Sequence, residues 1–72
     1  MEINKNKWYG IGDILEHELL GKRYLIRETV RRLLRDDTML DARRWPYGKK
    51  DIWKVYGEHI INWRKKSGLY IN

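Results

Sequence analysis

The chain contains no cysteine, which excludes a disulfide framework and any thiolate-ligated metal centre. Phenylalanine is also missing, so four Trp and five Tyr carry the aromatic content, and such large rings supply much buried area in a short chain. No apolar run approaches the ~18 residues of a membrane span. The first residues, Met-Glu-Ile-Asn-Lys-Asn-Lys, lack the apolar stretch of a signal peptide. A soluble, cytoplasmic protein with no membrane partner is expected. His17 and His59 fall on separate predicted helices, and a structural zinc needs four ligands, so neither metal nor any other cofactor is expected. There is no Ser/His/Asp set, phosphate-cradling glycine loop or coherent carboxylate pair, and an enzyme is not expected.

What is present is positive charge. The 72 residues carry a net charge of +6, and it is unevenly spread. Residues 1–21 balance at −2, residues 22–54 at +6 and residues 55–72 at +2. A chain of this length makes one small domain, burying only about 60% of the surface its unfolded form exposes. For a small basic domain the default partner is a polyanion; the bland alternative is a solvated basic surface with none.

Residues 1–7 are polar and read as a loosely held terminus, with Trp8-Tyr9 opening the ordered part as an extended piece. Ile11, Ile14, Leu15 and Leu19 then lie on one helical face, which predicts a first helix over residues 11–19. Gly10 is placed as its cap, Asp13 and Glu16 suit its amino end, and Gly21 is placed to end it. A second helix follows from periodicity over residues 26–35. Ile26, Val30, Leu33 and Leu34 occupy one side, while Arg27, Arg31 and Arg35 recur at i,i+4 steps on the other, with Glu28 and Arg32 beside them. Asp36-Asp37-Thr38 closes this helix poorly, because acids oppose the dipole at a carboxyl end.

Beyond residue 38 the period changes. Pro46-Tyr47-Gly48-Lys49 reads as a turn, flanked by extended segments Met39–Trp45 and Lys50–Tyr56. The second is rich in strand formers, with Trp53 and Val55 on one face and Lys50, Ile52 and Lys54 on the other. This is a hairpin whose tip and flank are cationic through Arg43, Arg44, Lys49, Lys50 and Lys54. Gly57 separates it from a last helix over residues 58–66, with Ile60 and Trp63 on one face and Arg64-Lys65-Lys66 suiting its carboxyl end. Leu69-Tyr70-Ile71-Asn72 is an apolar tail, suited to packing on the body or to a protein contact. Trp53 and Trp63 read as core rather than as stacking platforms for single-stranded nucleic acid; Tyr47, at the hairpin tip, is the exception.

Helix, turn, arginine-faced helix, basic hairpin, helix is the plan of a winged helix, an α+β fold spanning residues 8–68 here. A helix suits the major groove of duplex DNA, where the arginine fork bonds O6 and N7 of one guanine together. A cationic hairpin suits the neighbouring minor groove. The chain resembles the excisionases, or recombination directionality factors, of phages and integrative elements, a branch of the MerR-like winged helices. The resemblance rests mainly on Glu28-Thr29-Val30-Arg31-Arg32-Leu33-Leu34-Arg35. It is joined by Gly48-Lys49-Lys50, Trp53-Lys54-Val55, Glu58, Ile60 and Trp63, and by Trp8-Tyr9-Gly10-Ile11-Gly12-Asp13-Ile14 upstream. It implies a factor that binds and bends attachment-site DNA, often cooperatively, and helps an integrase assemble an excision complex. Glu28, Arg31, Arg32 and Arg35 would then take major-groove roles and Arg43, Arg44, Lys49 and Lys50 wing roles. Gly21–Ile26 is about three residues longer than the usual tight turn of such folds, and no Ser or Thr caps the second helix. A winged-helix repressor and a phage protein-interaction module are the competing readings.

Overall fold

Trp8–Gly10 form strand β1, Ile11–Glu16 helix α1, Arg27–Asp36 helix α2, Arg43–Tyr47 strand β2, Lys50–Tyr56 strand β3 and Gly57–Lys66 helix α3. The computed structural model describes residues 2–68, so the expected contact through the tail at 69–72 lies outside the described residues. The architecture is a small α+β domain with three helices and one antiparallel sheet of order β1-β3-β2. The expected two-stranded hairpin is therefore part of a three-stranded sheet. Strand β1 lies along the far side of β3, with Trp8 opposite Tyr56 and Tyr9 opposite Val55.

Helix α1 is shorter than its apolar spacing predicts. Asp13 accepts the Gly10 N–H at its start (3.3 Å), but Glu18 takes a positive φ of 49° and Leu19 N–H bonds back to the Ile14 carbonyl at 3.0 Å. That is a left-handed C-terminal cap, three residues before the glycine expected to supply it. The early stop turns Leu19 and Leu20 inward, where both are fully buried. The backbone strain of a non-glycine residue at this φ is thus offset by two buried leucines.

The hairpin turn also differs from its expected position. Pro46 and Tyr47 belong to β2, paired with Asp51 and Lys50, and the chain reverses over Gly48-Lys49 alone. Gly48 has φ 64°, as the first corner of a two-residue hairpin of the II′ kind requires. With Tyr47–Lys50 as the closing hydrogen-bonded pair, Pro46 faces away from β3 on the edge of the sheet, where no ladder donor is lost. A proline there also blunts the edge against a further strand.

The core draws on every helix and on β1 and β3: Tyr9, Ile14, Val30, Leu34, Val55, Ile60 and Trp63, with Leu19, Leu20 and Leu40 from the connections. Ile26, assigned to the packing face of the second helix, is instead 68% exposed, because it caps α2 in an extended conformation rather than lying within it. Asp37 reverses another expectation. Its Oδ1 accepts the N–H groups of Met39 (2.8 Å) and Leu40 (3.3 Å), and its Oδ2 accepts the Trp63 indole N–H at 3.0 Å. One carboxylate thereby forms the turn after α2 and ties it to α3. Arg64, expected among the cations at the end of α3, is buried instead and donates to the Leu19 carbonyl at 2.7 Å. Burial pushes its pKa down, from so high a starting value that the guanidinium stays charged.

The amino-terminal stretch, expected to be loosely held, is tied to the body. Helix α3 has no side-chain cap, and its orphan donors find backbone partners instead. Gly57 N–H bonds the Lys7 carbonyl (2.8 Å) and Glu58 N–H the Lys5 carbonyl (3.1 Å). Asn4 N–H reaches the Tyr9 hydroxyl at 2.8 Å. Gly57, expected to separate hairpin from helix, is the first helical residue, and its missing side chain lets the chain at Asn4 pass. A Cβ there would overlap the Asn4 carbonyl oxygen and lie 2.9 Å from its carbon. Gly57→Ala is expected to cost about 2 kcal/mol, because the segment can detach and the loss is bounded by its two capping bonds and local packing. Chemical denaturation of the variant checks this, together with faster amide exchange at residues 57 and 58.

Candidate nucleic-acid interface

Helix α2 buries only Val30 and Leu34, with Thr29 and Leu33 half-buried, so its remaining circumference is free to carry charge. The arginine side faces a groove of about 640 Å³ lined by Arg27, Glu28, Arg31, Arg32 and Arg35 from α2. The opposite wall is Arg44, Lys50, Asp51 and Trp53 of the hairpin, with Ile11 alongside. Tertiary structure thus brings seven of the sequence-assigned positions into one feature. Six of the lining residues are cations and two are carboxylates, so the groove carries a net positive charge and a positive potential.

Local pairs set the direction of individual cations. Glu28 lies 3.8 Å from Arg31 one turn along. Arg35 donates to Asp36 through Nε at 3.0 Å. That hydrogen bond raises the Arg35 pKa further and holds the Asp36 carboxyl below its usual range. On the hairpin, Arg44 Nε is 3.6 Å from Asp51 and its guanidinium lies over the Trp53 ring at 6.0 Å. Trp53 is consequently half-buried, packing on the core and forming the groove wall beneath Arg44. Exposed pairs of this kind add little stability; their effect is to hold long side chains in a limited set of poses. Among the described residues, Arg27 and Arg32 form no ion pair, which leaves their donors to an external acceptor.

The other assigned cations are not in the groove. Strand register places Arg43, Trp45 and Tyr47 on the opposite face of the sheet, in line with Lys54, Ile52 and Lys50 of β3. Of these only Lys50, next to the turn, lines the groove. Arg43 pairs with Asp41 at 3.2 Å, Lys54 lies 5.0 Å from the Trp45 ring, and Lys49 projects from the turn. Tyr47 is 73% exposed.

No family model, curated protein or solved structure matches this chain. The functional reading therefore rests on the geometry itself.

Sequence reasoning missed Trp53 and Ile11 as groove walls. It also missed the aromatic face formed by Trp8, Trp45 and Tyr56, although their alternation with core residues was visible in the pattern. Asp13 and Glu16 of α1 and His17 just after it bring ligand atoms within 4.8 Å of one another. All three are exposed; Asp13 already serves the Gly10 N–H at the start of the helix, and Glu16 and His17 lie 3.7 Å apart at its end. No helix among the described residues is long and apolar enough to cross a membrane.

Proposed function

We propose that this chain is a winged-helix protein that binds double-stranded DNA and catalyses no reaction, acting as an architectural factor of the excisionase type beside an integrase. The observation that carries the reading is the cationic groove between α2 and the β2–β3 hairpin. A helix about 10–12 Å across matches a major groove about 12 Å wide. With α2 seated there, the groove takes the sugar–phosphate strand at its rim and the hairpin tip reaches the adjacent minor groove. Arg31 and Arg32 read base edges, Glu28 orients Arg31, and Arg44 grips phosphate from a pose set by Asp51 and Trp53. Lys50 adds a phosphate contact in the groove wall, and Lys49 extends the contacts beyond it.

Sites selected from a random duplex pool test this directly. Gel titration on fragments carrying repeated sites should give a ladder of cooperative complexes and a measurable bend. A single unbent complex favours a promoter-reading repressor using the same groove, and no duplex binding at low salt removes the proposal altogether. Arg31→Ala or Arg32→Ala should cost about 1–3 kcal/mol on the selected site and relax its sequence preference. Lys49→Ala should weaken selected and scrambled duplexes alike and reduce the salt slope by about one. If the helix and turn variants lose affinity in the same pattern across sequences, the division of roles is wrong.

A further inference from the structure

The sheet has a second charged surface that the groove does not use. On the face away from α2, Trp8 of β1 and Trp45 of β2 meet over β3, with ring centroids 5.3 Å apart. Tyr56 joins the cluster at 5.1 Å from Trp8. Trp45 and Tyr47 remain 41% and 73% exposed, although each has a sheet neighbour to pack on. Arg43 and Lys54 sit directly opposite each other across the strands, and like charges in that position repel. Asp41 partly answers Arg43 and the Trp45 ring partly answers Lys54. Neither neutralises the pair, and none of the strand positions on this face is a carboxylate. A bridging anion would relieve the repulsion.

The spacing of the exposed rings narrows the kind of anion. Trp45 and Tyr47 are two residues apart on one strand, about 6.8 Å, roughly twice the 3.4 Å between stacked bases of a duplex. Successive bases reach both rings only when the strand is unstacked. Aromatics on a sheet face beside a cationic track are how single strands are held without sequence readout. A second copy of the chain is a poorer fit, since this face would set cations against cations, and the Pro46 edge resists strand addition. We propose that the outer sheet face is a binding platform for single-stranded nucleic acid. Bases stack on Trp45 and Tyr47, and a phosphate lies between Arg43 and Lys54.

Tryptophan fluorescence of the full chain, titrated with oligo(dT) and oligo(rU) of about ten nucleotides, tests the platform. Quenching that saturates at low salt is expected, and the tighter of the two oligomers identifies DNA or RNA as the natural strand. Trp45→Ala and Tyr47→Ala, read by anisotropy of a labelled oligomer, should each weaken binding about tenfold or more. Both rings are exposed, and unchanged circular dichroism confirms that the variants fold. The double change Arg31→Ala with Arg35→Ala should weaken duplex binding while leaving the oligomer within about twofold, which separates this site from the groove. The platform is overturned by no quenching with either oligomer, or by wild-type affinity in the ring variants. Equal loss in the arginine double variant, or equally effective competition by polyglutamate, overturns it as well.

Discussion

Duplex affinity is expected to fall about a thousandfold as salt rises from about 50 to about 200 mM. Each phosphate neutralised releases condensed counterions, so about six contacts give a logarithmic slope near −5. Six cations line the groove, and those of α2 are exposed in the unbound protein, so little must rearrange before they meet a backbone. Their carboxylate partners are exposed as well, and phosphate replaces them at small cost. Anisotropy titrations at four or five salt concentrations yield the slope. Arg44→Ala combined with Lys50→Ala, which removes two phosphate contacts, should flatten it by about two. A near-zero slope for the unaltered protein would mean that the groove grips no phosphate, and an apolar partner contact would then be the better account of α2.

Asp37→Ala is expected to destabilise the fold by about 3 kcal/mol. The carboxylate satisfies two backbone N–H groups and the Trp63 indole in a half-buried setting. Hydrogen bonds to a charged acceptor are worth about 1.5–3 kcal/mol each, and unsatisfied donors lose more. Relaxation and water entry lower the simple sum. For a domain of this size the whole stability is on the order of 4–11 kcal/mol, so the midpoint of thermal unfolding should fall on the order of 15 °C. Asp37→Asn keeps one acceptor oxygen for the turn but sets an amide donor toward the indole or the turn N–H groups, and should cost roughly half as much. Both variants are measured by denaturant titration followed through far-ultraviolet circular dichroism. A change under about 0.5 kcal/mol for Asp37→Ala would show that the turn and helix α3 hold without this link.

The consequences for binding differ between the two residue classes. Asp37 sits at the carboxyl end of α2 and touches nothing in the groove, so its loss acts on the fraction folded. The groove arginines are exposed, so their loss acts on affinity with little change in stability. Measuring both quantities on each variant separates the framework from the surface it presents.

How much could be read in advance is clearest residue by residue. Helix α2 was legible because its apolar and arginine positions alternate at helical spacing over ten residues. Strand β3 was legible because Trp53 and Val55 alternate with Ile52 and Lys54. The end of α1 was not, because a left-handed Glu18 carries no sequence mark of the kind glycine provides. Asp37 was misread for a related reason: by local rules an acid at a helix end is unfavourable, and its three donors include an indole 26 positions away. The amino-terminal segment looked like a free end because its partners are backbone groups of α3, invisible to side-chain pattern.

The candidate site divides along the same line. Sequence alone determined that an arginine helix and a basic hairpin would exist, since charge, periodicity and turn chemistry are properties of short windows. Tertiary structure decided which cations share a groove. Adjacent residues of a strand point to opposite faces, so Arg44 joined the helix while Arg43 went to the outer surface with Trp45. That outcome depends on strand register and on which face of the sheet carries Tyr9 and Val55 into the core. Contacts distant in the chain set both.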